Sequence, residues 1–319
     1  MAAKKMLAKA HAISLMGLAG TVIEVEAEIS STLPGFVLVG LPDTSLSESK
    51  DRVRAAIQNS GLKMPDRRVT VNLSPASVRK QGSSYDLAIA VSVMAAAGNL
   101  NADSVSQWVH LGELGLDGSV RRVTGILPAL LVARSAGLQN AVVPSSNFAE
   151  ANLVDGMNVV PVEHFRQVAK MHGSTVIGDL EFASPVPSRI AELIVDSKGP
   201  NSFESLDIAD VLGQEDAIEA LVVAAAGGHH LLMVGPPGAG KTMMAERLPS
   251  LLPDMKLDQA LETTAVVSVA GNRRITEGSL LLRPPFEAPH HTASVSSLVG
   301  GGLGMPRPGV ISLANNGVL

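Results

Sequence analysis

The chain has no cysteine in its 319 residues. That excludes disulfides, thiolate metal ligands and thiol nucleophiles together, and it fits a cytoplasmic protein. Aromatic residues make up only 3%, with one Trp and one Tyr. The cores must therefore be aliphatic, and stacking platforms for single-stranded bases are scarce. Excess positive charge is also missing: 25 Lys and Arg face 30 Asp and Glu, a net charge of −5. No global basic field draws the chain to nucleic acid or to an anionic membrane, so any DNA contact has to come from local patches or from several subunits. No apolar run is long enough to cross a bilayer, so no membrane partner is expected.

What is there reads as two globular domains. Hydrophobic residues make up 46%. The start, MAAKKMLAKAHAISLMGLAG, places lysines before a mildly apolar stretch, as a leader would. It runs straight into TVIEVEAEIS, which alternates like a strand, so it reads as the start of a domain. FVLVGL and RRVTVNLSP read as strands. SLSESKDRVRAAIQNSG reads as a helix with a Ser start and a Gly stop, and YDLAIAVSVMAAAG as a helix buried on most sides. Asp117-Gly118 marks a hairpin in WVHLGELGLDGSVRRV. LPALLVARSAG, NAVVP, MNVVPV and HFRQVAKMHG then read as helix, strand, strand and closing helix. Strands and helices at this spacing predict an α/β or α+β domain over 1–178. Pro185, Pro187 and Pro200 mark a linker over 179–205, and a second domain is expected over 206–319.

The strongest motif is LLMVGPPGAGKTMMAERL. Gly235, Gly240, Lys241 and Thr242 keep the G-x-x-x-x-G-K-[ST] spacing. Leu231–Val234 reads as the strand before the loop and Thr242–Leu248 as the helix after it, which is the context a phosphate-binding loop requires. The loop Gly235, Pro236, Pro237, Gly238, Ala239, Gly240 would wrap the phosphates of ATP with backbone N–H groups. Lys241 would reach the β- and γ-phosphates, and the Thr242 hydroxyl would ligate Mg²⁺. Upstream, Asp210, Val211, Gly213 and Gln214 form a turn that could line an adenine pocket. At the other end, Asn315-Asn316-Gly317 is a turn signal that makes Val318 and Leu319 the expected opening of a buried strand.

The segments GQEDAIEALVVAAAGGHHLLMVGPPGAGKTMMAERLPSLLP, RPPFEAPHHTASVSSLVGGG and PRPGVISLANNGVL resemble the magnesium-chelatase-like AAA+ ATPases of the ComM/YifB family. GFVLVGLPDTSLSESKDRVRAAIQNSG and VNLSPASVRKQGSSYDLAIAVSVMAA resemble that family's first domain. The resemblance implies an N-terminal Lon-protease-like, ribosomal-protein-type α+β domain followed by an incomplete P-loop AAA+ domain. It carries the adenine turn over to Asp210–Gln214. It implies that the next residues of a full-length member would be a Walker B strand ending in paired acids, so this chain is expected to bind nucleotide without turning it over. For a full-length member it implies self-association into a ring (a hexamer), with DNA as partner and branch migration during transformation as the activity. Other readings are the ATPase subunit of a metal-chelatase complex, a Lon-like protease, and a fragment that only binds nucleotide or a partner.

The protease reading fails on one position. In RKQGSSYDLAIA, Ser84 falls where the resemblance places a Lon-type nucleophile, and the partner lysine's place is taken by Leu127, which cannot accept a proton. A serine capping the buried helix is the simpler expectation for Ser84. His290-His291 has no usual zinc spacing. Glu262, Glu277 and Glu287 do not end a hydrophobic strand and are discounted as replacements for the missing acid. Gly300-Gly301-Gly302 with Gly304, Pro306 and Pro308 reads as a flexible surface loop, and Arg273-Arg274 as a solvated hairpin tip. Arg52, Arg54, Arg67, Arg68, Arg79 and Lys80 form a basic cluster in sequence whose alternative is pairing with the abundant acids.

Overall fold

A computed structural model describes residues 6–41, 43–80, 82–178, 186–187, 206–271, 280–302 and 306–319. The expected linker over 179–205 lies outside the described residues except for 186–187. The chain divides into two compact units, one formed by the residues up to Ala191 and the other by most of those after it.

The first unit is built on a mixed eight-stranded sheet. Its strands are β1 (Met6–Met16), β2 (Ala19–Ser30), β3 (Gly35–Val39), β4 (Arg68–Ser74), β5 (Trp108–His110), β8 (Asn140–Pro144), β9 (Asn158–Val162) and β10 (Val186–Pro187), in the order β10-β9-β8-β5-β1-β2-β4-β3. β1 and β2 pair antiparallel without interruption from Met6↔Ile29 to Met16↔Ala19. β6 (Glu113–Leu114) and β7 (Val120–Arg121) form the hairpin turned by Asp117-Gly118.

Period-two alternation decides which face of the sheet is buried. Ala8, Ala10 and Ala12 of β1 and Ile23, Val25 and Ala27 of β2 are buried. The alternate residues Lys9, Glu24 and Glu26 form ion pairs at 2.9 and 3.1 Å on the other face. Against the apolar face packs α2 (Asp86–Ala96), all eleven residues of which are buried. Apart from Asp86 and Ser92 its sequence is apolar all round, as suits a helix enclosed on every side. The other helices of this unit are α1 (Thr44–Asn59), α3 (Ala102–Ser106), α4 (Ile126–Ser135), α5 (Phe148–Ala151) and α6 (Phe165–Met171).

One local expectation is corrected and another is met. α1 is started by Asp43, whose carboxylate accepts the Leu46 N–H at 2.7 Å, and not by a serine. A carboxylate at this position also meets the positive end of the helix dipole. The stretch read as the start of a domain supplies, over its described residues, β1, a long strand at the centre of the sheet.

The second unit contains α7 (Glu215–Gly227), α8 (Lys241–Arg247), α9 (Leu257–Val269), α10 (Val295–Val299) and α11 (Val310–Leu313). Its described residues include no strand, only the isolated bridges Phe286↔Val318 and Gly301↔Arg307. Around α9 the packing is partly polar. Thr263 Oγ1 donates to the Asn315 carbonyl at 3.2 Å, and Thr264 Oγ1 accepts the Leu281 N–H at 3.1 Å. Among the described residues no helix is long and apolar enough to cross a membrane.

Candidate nucleotide-binding site

The site begins at a tight turn. Asp207 accepts the Ala209 N–H at 3.0 Å and its own N–H donates to Asp210 Oδ2 at 3.2 Å, which fixes the short 3-10 helix Ile208–Asp210. Gly213 (φ +74°) and Gln214 (φ +61°) then take left-handed backbone and turn the chain into α7. A non-glycine residue in that region is uncommon. Val211 is buried against Leu221 of α7 and Met244 of α8, and Ile208, Met233 and Leu248 pack at the margin. Arg247 of α8 reaches Asp210 at 3.9 Å, and the Ile208 N–H donates to Ser250 Oγ at 3.0 Å. The structure therefore fastens the Asp210–Gln214 turn to the helix that the glycine loop opens. Lys241 and Arg247 are the two ends of that helix, about 9 Å apart at the usual helical rise.

The loop itself turns on two glycines, Gly238 and Gly240, both at φ +81°. A side chain at either would strain the backbone, because L-residues avoid this region. The Met244 N–H donates to the Gly240 carbonyl at 3.0 Å and starts α8. Lys241 Nζ bends back over the loop, donating to the Gly235 carbonyl at 2.8 Å and the Pro236 carbonyl at 2.7 Å. Two of the ammonium's three hydrogens are thus used within the loop. Among the described residues no carboxylate forms an ion pair with Lys241 or a hydrogen bond with Thr242, and Thr242 is exposed.

The residues present fit a triphosphate with a divalent cation. The glycine backbone leaves room for close approach, the lysine supplies a positive charge, and Thr242 supplies one neutral oxygen. Thr242 would hold Mg²⁺ through its hydroxyl, and the ion would supply charge screening for the phosphates.

Other expectations need correction. Leu231–Val234 takes no strand pairing, and Leu232 and Val234 are 87% and 88% exposed. A strand needs a neighbour for its backbone, and the described residues of this unit supply none. Val318 makes a single parallel bridge, with the Glu287 N–H donating to the Val318 carbonyl at 2.9 Å, while Leu319 is 61% exposed. The glycine run is more ordered than expected: Gly301 and Arg307 exchange backbone hydrogen bonds at 3.1 Å, and a Cβ on Gly300 would lie 2.5 Å from the Arg307 carbonyl. Gly304, Arg273, Arg274 and Glu277 lie outside the described residues. Glu262 is exposed and Glu287 half-buried. The exposed His290 and His291 rings stack at 4.1 Å, with His290 Nδ1 and Thr292 Oγ1 2.7 Å apart.

In the first unit Ser84 does not cap α2. The N-cap position is Tyr85, which makes no side-chain cap bond, and the Ser84 carbonyl accepts the Gly112 N–H at 3.2 Å. Leu127 is fully buried, its N–H donating to Glu150 Oε1 at 2.9 Å. The basic cluster disperses. Arg52 pairs with Asp86, and Lys80 is buried with its ammonium on the Pro75 carbonyl, where burial pushes its pKa below the usual lysine range. Sequence reading placed Lys80 only in that basic cluster and did not single out Asp86, because nothing in local spacing shows which charged residue a fold will enclose.

Residues 25–147 match the family model described as "Subunit ChlI of Mg-chelatase", and residues 207–319 match "Magnesium chelatase, subunit ChlI". An uncharacterized protein of Mycobacterium tuberculosis is 47% identical over 317 residues, covering 98% of this chain and 59% of that protein. The competence protein ComM of Haemophilus influenzae is 40% identical over 314 residues, covering 98% of this chain and 59% of ComM. YifB of Escherichia coli is 38% identical over 309 residues, covering 97% of this chain and 58% of YifB. The chain thus spans about three-fifths of the length of these relatives. A shorter match joins it to the archaeal Lon protease of Archaeoglobus fulgidus, 31% identical over 86 residues, covering 27% of this chain and 12% of the protease. With a phosphate-type loop in the second unit and near-complete coverage by these relatives, the chain belongs to the magnesium-chelatase-like ComM/YifB family of AAA+ ATPase-like proteins.

Proposed function

We propose that the second unit binds ATP with Mg²⁺ through Gly235–Thr242, with the Asp210–Gln214 turn facing the base. The observation that carries this reading is the glycine loop that opens α8 with Lys241 folded over it. The backbone N–H groups from Gly238 to Lys241 hold phosphate oxygens, Lys241 neutralises charge on them, and Thr242 gives its hydroxyl to the cation. Mg²⁺, when bound, would screen the phosphate charge. No carboxylate partners Lys241 or Thr242 among the described residues, which supports binding without turnover in this chain.

The division into a domain over 1–178, a linker over 179–205 and a domain over 206–319 belongs to the same reading. The first domain is a Lon-like fold without protease activity: Ser84 has no base at Leu127, and the short Lon match supports the fold. For the longer protein of which the relatives are examples, we propose ATP-driven work on DNA in the cytoplasm by a ring of subunits, supported by the similarity to a competence protein. A second reading, the motor subunit of a metal-insertion complex, is favoured by the descriptions of both family models.

The test is a titration of the purified chain with fluorescent ATP, with and without Mg²⁺, beside a phosphate-release assay. Saturable, Mg²⁺-enhanced binding without phosphate release is the expected result. Absence of binding would overturn the nucleotide reading. Phosphate release abolished by Lys241→Ala would overturn the claim of no turnover.

A further inference from the structure

β3 is the terminal strand of the eight-stranded sheet, paired in parallel with β4 on one side from Gly35↔Arg68 to Val39↔Asn72. A strand directs alternate N–H and C=O groups to each side. Among the described residues no backbone group of Gly35–Val39 bonds to anything beyond β4. Soluble proteins protect such edges with lysine, proline or a bulge inside the strand. Gly35-Phe36-Val37-Leu38-Val39 has none of these and carries no charge.

Pro34 and Pro42 stand just outside the strand, and apolar side chains beside it are exposed. Leu33 is 87%, Val39 40% and Leu41 61% exposed. Phe36 and Leu38 pack on the core, so Val37 and Val39 lie on the other face. The strand ends abruptly at Gly40 (φ +104°) and Leu41 (φ +58°). A Cβ at Gly40 would stand 2.3 Å from the Leu73 carbonyl, so the termination is set by close backbone approach.

The segment is close to palindromic in its chemistry. Counted from Val37, Phe36 mirrors Leu38, Gly35 mirrors Val39, and Leu33 mirrors Leu41. We propose that β3 pairs antiparallel with β3 of a second copy of this chain, across a two-fold axis through Val37. This isologous arrangement satisfies the outward backbone groups of both strands. It sets apolar residues opposite apolar ones at every level, with no like charges facing. It also brings Leu33 of each copy towards Leu41 of its partner. A five-residue edge is smaller than a standard stable interface, so the dimer is weak and concentration-dependent.

The absence of native cysteine allows a clean test on the full chain. In Val37→Cys the two thiols meet across the axis, at a Cα separation that antiparallel pairing and disulfide geometry both allow. Val176→Cys is the control, since Val176 is 62% exposed and lies outside the strand. Val37→Cys is expected to form disulfide dimer on mild oxidation at least about tenfold faster than the control, and an equal or slower rate overturns the proposal. Sedimentation velocity gives a second readout that does not depend on thiols. Val37→Lys is expected to weaken self-association about fivefold, and mixing it with Val37→Glu to restore it. Unchanged association of Val37→Lys, or no gain on mixing, overturns the proposal as well.

Discussion

Arg52 and Asp86 meet at 2.7 Å, Nε to Oδ2, where α1 crosses the start of α2. The Asp86 side chain is fully enclosed, and it also accepts the Leu114 N–H at 3.3 Å and the Ser49 hydroxyl. One carboxylate therefore joins two helices and the β6–β7 hairpin. Burial pushes its pKa up, opposed by the guanidinium, the hydroxyl and the amide. Removing one partner leaves a charge enclosed without its counterpart, which is the expensive case for a buried pair. Arg52→Ala, which leaves the enclosed Asp86 carboxylate without its cation, should destabilise the first unit by roughly 3–5 kcal/mol in urea unfolding. A loss below about 1 kcal/mol would show that the pair carries little of the packing.

A second buried polar contact makes stability depend on pH. His110 Nε2 and His172 Nε2 are 3.0 Å apart, and His172 Nδ1 lies 2.9 Å from Ser104 Oγ. Burial pushes His172 down to about 4, and pushes His110 well below its ordinary value with help from His172 and His11. An unfolded imidazole titrates near 6.5. Between those values the unfolded chain holds more protons than the folded one, so stability is fully present above about pH 6.5 and falls as pH drops towards 4. His172 alone contributes a slope of at most about 1.4 kcal/mol per pH unit, and His110 acts in the same direction. Urea unfolding at several pH values should show this slope, and His172→Gln should flatten it. An identical profile in the variant would contradict the assignment.

The two units differ in core size. The first encloses a continuous apolar cluster running from Ala8 to Ile177, whereas the second has the small cluster of Val211, Leu221 and Met244 beneath the candidate site and a further buried group on and around α9 that includes Ala260, Val266 and Val267. Stability that follows buried apolar area makes the second unit the weaker one. Limited proteolysis should leave a protected fragment ending before Leu206. Equal resistance of both halves would contradict this.

The Asp210–Gln214 turn, proposed to face the base, is tied to α8 by Arg247. Its partner Asp210 is 58% exposed in its side chain, so the ion pair itself adds little to stability. Arg247→Ala should leave the unfolding midpoint nearly unchanged and weaken ATP binding about two- to fivefold by loosening the turn, since even a modest positional error is felt at a bound ligand. A large drop in stability would show that Arg247 acts through packing instead.

Much of the first unit was legible because its patterns are local. Alternation marked β2 and β4, Asp117-Gly118 marked the hairpin, and the apolar run from Leu87 to Ala96 marked a helix enclosed on all sides. β1 was not, because its buried face is made of alanines, which signal a strand weakly and leave Lys4 and Lys5 to suggest a leader. The site's glycines, lysine and threonine could be read from spacing alone. The tie between Asp210 and Arg247 could not, since it depends on how α8 packs against the preceding turn. Leu231–Val234 shows the limit from the other side: an apolar run is a strand only when another strand receives its hydrogen bonds.

The most direct test of the central claim is calorimetric titration of Mg²⁺-ATP into the wild-type chain and into Lys241→Ala, with circular dichroism to verify that the variant is folded. The account predicts saturable binding by the wild type and at least about tenfold weaker binding by the variant, as expected when a charge-assisted phosphate contact is lost. Equal affinity in a folded Lys241→Ala protein would contradict it.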